Sequence, residues 1–164
     1  MNDEPLTNYK IFSHYKIICR DKKIALLKKV VEERLRKPRL IASESCRWNE
    51  WIKVPANSEG ILRARINFSR NLIGNVKELV YKEEEYFIEY KLNDGEIKKY
   101  RLVIDNAVCG VWVSPLFEKI SNPFYGRQVQ EIRLSYPADH LLTKEIKVGW
   151  ESIEPMKEGL IHRE

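Results

Sequence analysis

From Leu40 onward, apolar residues fall on alternate positions in one short run after another. In "ILRARINF", Leu62, Ala64, Ile66 and Phe68 take one side and Arg63, Arg65 and Asn67 the other. That is the pattern of a strand with one face buried. "EYFIEYKL" repeats it through Tyr86, Ile88, Tyr90 and Leu92. Asn93-Asp94-Gly95 then supplies turn residues, with glycine free to take the positive φ of a tight hairpin. Tyr100, Leu102 and Ile104 continue the alternation in the returning strand. "CGVWVS" predicts a further strand, with Val111 and Val113 pointing one way and Trp112 the other. Asn106 and Ala107 carry the chain into it, and Gly110 marks a bulge or a close backbone approach. Pro115 has no N–H and is expected to end the pairing. "VQEIRLSY" and "EIKVGW" predict two more strands, through Ile132, Leu134 and Tyr136 and through Ile146, Val148 and Trp150. Between these runs, "NLIGNVKELVYK" loses the two-residue period and reads as a loop with a short helix. Many short strands with frequent turn signals predict a mainly β fold, an antiparallel β-sandwich of jelly-roll-like type.

The first 38 residues read differently. Tyr9, Ile11, Tyr15, Ile17 and Cys19 alternate, which predicts a strand up to Cys19. Asp21 is a suitable N-cap for "KKIALLKKVVEERLRK", where Ile24, Leu27, Val31 and Leu35 recur at helical spacing. Pro38 closes this predicted helix, because the residue before a proline is pushed out of helical geometry. The expected organisation is an N-terminal strand and α-helix over 1–38 packed on a β-sandwich over 39–154, followed by a loose tail over 155–164.

Composition narrows the class. The 164 residues suit one domain, and a 43% hydrophobic fraction can fill a core. No apolar run reaches the roughly 20 residues needed to span a bilayer as a helix. "MNDEPLTNYK" opens acidic and polar, unlike a secretory signal. The net charge is +5, but 29 basic residues are interleaved with 24 acidic ones, and the densest basic run, "RLRKPR", is short. That interleaving argues against a nucleic-acid partner. Cys19, Cys46 and Cys109 form no metal-binding spacing. Cys109 reads as a core side chain, while Cys19 and Cys46 are left open to pairing in an oxidising compartment.

Candidate chemistry is sparse. Ser135, Asp139 and His140 are close in sequence, but no nucleophile elbow accompanies them, and they read as an inter-strand loop. Glu83, Glu84 and Glu85 lack the alternating ligands of a calcium loop and read as a charged strand edge. His14 and His162 share no ligand spacing with His140. Phosphate-cradling glycine motifs do not occur. The sequence therefore predicts no catalytic residues, no metal and no cofactor, and favours a non-enzyme. The aromatics offer the one candidate site. Trp48 and Trp51 in "CRWNEWIKVP", with Tyr125 and Arg127 in "NPFYGRQ", could stack and hydrogen-bond a sugar if exposed. The competing reading is core packing, the commoner fate of tryptophan. Trp112 and Trp150, inside predicted strands, are expected in the core.

The stretch from Trp48 to Glu151 resembles C-terminal extracytoplasmic β-sandwich domains of bacterial multi-pass membrane proteins of unknown function. The resemblance rests on Leu72 and Gly74, on Asp94 and Gly95 in a strand–turn–strand hairpin, and on Asn106, Ala107, Gly110, Ser114, Pro115 and Leu116 in "NAVCGVWVSPL". It implies a location on the outer side of a bacterial membrane, with membrane association through segments outside these residues. It brings no activity with it. The sequence thus leads to a non-catalytic envelope domain whose partner is a glycan or another envelope component. The alternatives are a carbohydrate-binding module, an enzyme acting on cell-wall polysaccharide, and a cytoplasmic location.

Overall fold

The alternating runs pair into two four-stranded antiparallel sheets that share one core. The structure is a computed structural model that describes residues 4–21, 24–56, 60–70, 85–116, 124, 126–136 and 142–156. Its elements in chain order begin with helix α1 (Pro5–His14) and strands β1 (Tyr15–Arg20) and β2 (Ala25–Lys29). Strands β3 (Arg39–Arg47), β4 (Trp51–Lys53), β5 (Ile61–Arg70), β6 (Tyr86–Leu92) and β7 (Ile97–Leu102) follow. Helix α2 (Ile104–Cys109) precedes β8 (Val111–Ser114), β9 (Val129–Ser135) and β10 (Leu142–Ile153). The first sheet runs β3-β10-β5-β8 and the second β4-β9-β6-β7, so most connections cross from one sheet to the other. The fold is mainly β with an N-terminal helix.

Most side chains expected inside are inside, the exception on the hairpin being Tyr100 of the edge strand β7, which is 38% exposed. Leu62, Ala64 and Ile66 of β5 and Val148 and Trp150 of β10 meet Ile88 and Tyr90 of β6 and Ile132 and Leu134 of β9. Fully burying one such side chain stabilises the fold by roughly 1.5–3 kcal/mol. Tyr90 also donates its hydroxyl to the Trp112 carbonyl at 3.2 Å, which ties the second sheet to β8. The predicted turn closes through Gly95, at φ +85°, whose N–H donates to the Leu92 carbonyl at 2.9 Å. Val111 and Val113 face the core, while Trp112 faces outward, as the alternation predicts.

Outward here does not mean exposed, because α1 covers that side. Pro5 opens the helix at a position where its missing N–H costs nothing. Phe12 lies edge-on to Trp112, with ring centroids 5.6 Å apart. Leu35, Ile61 and Ile153 complete this second, smaller core. Beneath the helix lies an ion pair: Arg63 Nε donates to Glu151 Oε2 at 2.6 Å, and both residues are buried.

The N-terminal expectations need correction. Residues 5–14 form a helix where alternation at Tyr9 and Ile11 predicts a strand, and His14 is the last residue of that helix. Ala25–Lys29 forms a strand where a helix is predicted, pairing antiparallel with β1. Most of the apolar stripe that suggested the helix finds nothing to pack against. Ile24 is 74% exposed and Val31 fully so, and only Leu35 is buried. Helix propensity without a buried face is a weak force, and the Ile- and Tyr-rich β1 provides a ladder instead. A further departure is α2, whose ends, Ile104 and Cys109, are predicted strand residues and whose middle is predicted as a connection. The start of the expected tail is pinned, since Leu35 bridges Pro155 and the Met156 N–H donates to the Arg34 carbonyl at 2.8 Å. The short helix expected in residues 71–82 lies outside the described residues, as does the tail beyond Met156.

All three thiols are free. Cys46, rather than Cys109, is the core cysteine, and burial together with Glu50 and Glu44 pushes its thiol up to about 11. Cys19 is exposed on the hairpin and Cys109 half-buried at the end of α2. Among the described residues no helix is long and apolar enough to cross a membrane.

Candidate functional site

Side chains of β4, β9, β6 and β7 that point away from the core line up in rows across the second sheet. The pairing register places Trp51 opposite Arg133, Arg133 opposite Glu89, and Glu89 opposite Lys99. The next row is Lys53, Glu131, Lys91 and Ile97. These are the polar positions of the alternating runs, brought together by register.

The centre of the first row is Glu89. Its carboxylate accepts from Arg133 Nη2 at 2.5 Å, Arg133 Nε at 3.1 Å and Ser135 Oγ at 3.0 Å. Lys99 Nζ stands 3.9 Å away. Desolvation pushes the Glu89 carboxyl up, but the bonds from Arg133 and Ser135 and the charges of Arg133 and Lys99 outweigh it. The net effect is below the ordinary 4.5. Held in this way, the Arg133 guanidinium lies over the Trp51 ring, 4.5 Å from its centroid. Lys91 Nζ is 6.0 Å from the same centroid and pairs with Glu131 at 2.8 Å. Lys99 sits 4.3 Å over Phe87. Trp51 is half-buried, with Arg133 against one side of its indole.

A folded-state carboxyl depressed in this way stabilises the protein above its ordinary range, and the contribution is lost as pH falls through the lowered value. Urea midpoints measured at pH 7 and near pH 3.5 should therefore fall further for the native chain than for Glu89→Gln. Equal losses in both proteins would mean that Glu89 is not held by Arg133.

Beside Trp51 the sheet opens into a groove of about 720 Å³, lined by Lys53–Ala56, Lys91, Asn93, Ser114 and Gln128–Glu131. Its walls are tied by backbone bonds from Val54 to Gln130 at 2.8 Å and from Asn93 to Gln128 at 3.1 Å. Ser114 donates to Gln128 Oε1 at 2.8 Å and accepts from the Val129 N–H at 3.3 Å. Gln128 and Gln130 are exposed at the groove. The described lining holds one carboxylate, Glu131, and that one is paired with Lys91. Glycoside hydrolysis by the usual route needs two carboxyl groups facing each other across the bond.

Of the four residues singled out in sequence, the three that are described, Trp48, Trp51 and Arg127, do not converge. Trp48 is 9% exposed in the main core, stacked on Phe68 and Tyr86 at 5.5 and 5.6 Å and edge-on to Tyr136 at 5.0 Å. Arg127 is bound to the hairpin turn, paired with Asp94 and with Glu96 Oε2 at 2.5 Å. The Asp94 carboxylate, which also accepts the Glu96 N–H at 3.1 Å, is pulled down by both partners. Tyr125 lies outside the described residues, as do Asp139, His140 and Glu83–Glu84. Ser135 is occupied by Glu89. Among the described candidates, Trp51 alone combines a place on the outer sheet face with partial exposure. Sequence reasoning missed Arg133, Glu89 and Lys91, whose signal was only their polar phase in "EYFIEYKL" and "VQEIRLSY". Among the described residues no group of three or more His, Cys, Asp or Glu side chains converges as a metal site would require.

Compared with known proteins, the chain matches no family model, no curated protein and no solved structure.

Proposed function

We propose that this chain is a non-catalytic jelly-roll β-sandwich domain that binds a saccharide on the outer face of its second sheet. The jelly-roll reading is supported by the strand order. Numbering the eight sheet strands in sequence, β3 to β10, the two sheets run first–eighth–third–sixth and second–seventh–fourth–fifth, the exchange expected of two interlocked Greek keys. Jelly rolls include many lectin domains, an analogy at the level of fold.

The observation that carries the ligand reading is Trp51. A half-buried indole, backed by the Glu89-anchored Arg133, presents an apolar ring beside a groove rich in amide and charged groups. A pyranose needs that combination, with one apolar C–H face to stack and hydroxyls around its edge to bond. Gln128, Gln130 and Glu131 are the groups that would take the hydroxyls. On this reading the domain works at the cell envelope, as the resemblance implies, where protease added to intact spheroplasts digests it.

The test is a glycan array probed with the native chain and with Trp51→Ala. Binding to at least one glycan class is expected, weakened about tenfold or more in the variant, the equivalent of ~1.4 kcal/mol of lost stacking. A chain that binds no glycan, or binds equally well without Trp51, sinks the proposal.

A further inference from the structure

Strands β1 and β2 belong to neither large sheet; they form a separate two-stranded ribbon. Its base is fixed to the body, with the Val30 N–H donating to the His14 carbonyl and Arg34 Nη1 to the Tyr15 carbonyl, both at 2.8 Å. Beyond that base the two faces differ. Tyr15, Ile17, Ala25 and Leu27 on one face are half-buried. The other face follows from the register, in which Lys16 opposes Lys28 and Cys19 opposes Leu26, with Ile18 the extra residue of a bulge. Lys16, Ile18, Cys19, Leu26 and Lys28 are all exposed there. Ile18 is 52% exposed, Leu26 58%, and Ile24 beside the turn 74%.

The distribution of charge is as uneven. Six of the 29 basic residues and one of the 24 acidic ones fall in Tyr15–Lys29, so the ribbon accounts for the whole net charge of +5 and the rest of the chain is balanced. The ribbon thus joins exposed aliphatic side chains to a concentrated positive charge on one element.

We propose that the exposed face of the β1–β2 ribbon docks on an anionic lipid bilayer. Lys16 and Lys28 would meet the headgroups, and Ile18, Leu26 and Ile24 would enter the boundary between headgroups and acyl chains. Each half of the pattern answers one property of that surface. Lysines near an anionic leaflet are attracted to it, and their long stems let the charge stay at headgroup level while neighbouring apolar groups are buried. Aliphatic side chains gain by leaving water for the interface, as they do on interfacial helices. A nucleic acid would use the lysines but leave Ile18, Ile24 and Leu26 in water. This inference is independent of the saccharide reading, because the ribbon shares no residue with the groove.

Co-sedimentation of the full chain with phosphatidylcholine vesicles, with and without phosphatidylglycerol, tests it. Binding is expected only to the anionic vesicles, weakening as salt rises. Lys16→Gln/Lys28→Gln should lower the partition coefficient about 30-fold, from the typical attraction of two basic residues to such a surface. Ile18→Ser/Leu26→Ser should also weaken binding, with charge unchanged, and an environment-sensitive dye on Cys19 should shift to the blue when vesicles are added. All four positions are exposed, so unchanged circular dichroism is expected of both variants. No binding to anionic vesicles overturns the proposal, and so does binding insensitive to the serine pair. Equal affinity for a DNA duplex, lost only in the glutamine pair, would instead make the ribbon a general polyanion site and overturn the lipid assignment.

Discussion

Trp150→Ala is expected to lower the free energy of unfolding by about 3–5 kcal/mol, the usual range for deleting a large buried aromatic. Trp150 is fully buried at the centre of the first sheet, between β3 and β5 in register. Its indole Nε1 donates to Glu44 Oε1 at 2.6 Å, so the substitution also leaves that carboxylate without its indole donor. Small domains commonly have only about 5–15 kcal/mol in hand, so a loss of this size removes a large share of the stability. Urea unfolding followed by far-ultraviolet circular dichroism measures it. A loss below about 1 kcal/mol would place Trp150 outside a packed core.

Glu151→Ala should cost nearly as much, about 3–5 kcal/mol, for a different reason. Arg63 and Glu151 are buried together under α1, where the 2.6 Å contact between them offsets their desolvation. Removing the carboxylate leaves the guanidinium buried with a weaker set of partners, the Tyr9 ring at 5.9 Å among them. Gly110, at φ +102°, leaves room for the Arg63 side chain, since an added Cβ there would lie 3.0 Å from Arg63 Nε. Replacing both charges with Arg63→Met/Glu151→Leu should recover most of the loss, because apolar side chains of similar size need no partner. Denaturation of the two single variants and the double variant gives the coupling directly. Single-variant losses that simply add would contradict a buried, mutually dependent pair.

Strands β5, β6, β9 and β10 were legible because each buries one face, whereas β3, which buries only Cys46, and the three-residue β4 carry no such alternation and were not predicted. In "ILRARINF" and "EYFIEYKL", the alternation names the core residues Leu62, Ala64, Ile66, Ile88 and Tyr90 directly. Arg63 shows the limit of that reading: it falls on the polar phase of β5 yet is buried, because α1 lies over it. The N-terminal ribbon was misread because Ile24, Leu27, Val31 and Leu35 carry a helical spacing of which only Leu35 reaches a core. Conversely, Tyr9 and Ile11 alternate inside α1, where Tyr9, Phe12 and Ser13 provide the helical contact face. The candidate site was hardly legible. Its rows depend on which residue of β9 faces which residue of β6 and β4, and register is a property of pairing between distant segments. Trp51 could be named from sequence, whereas the Glu89–Arg133 support behind it could not.

Saccharide binding at Trp51 is tested most directly by titrating nitrogen-15-labelled protein with the best-binding glycan from the array and following amide and indole resonances. Shifts are expected only at the Trp51 indole and the amides of Lys53, Lys91 and Gln128–Glu131, with the Trp48, Trp112 and Trp150 indoles still. Shifts centred anywhere else, or none at saturating glycan, would contradict it.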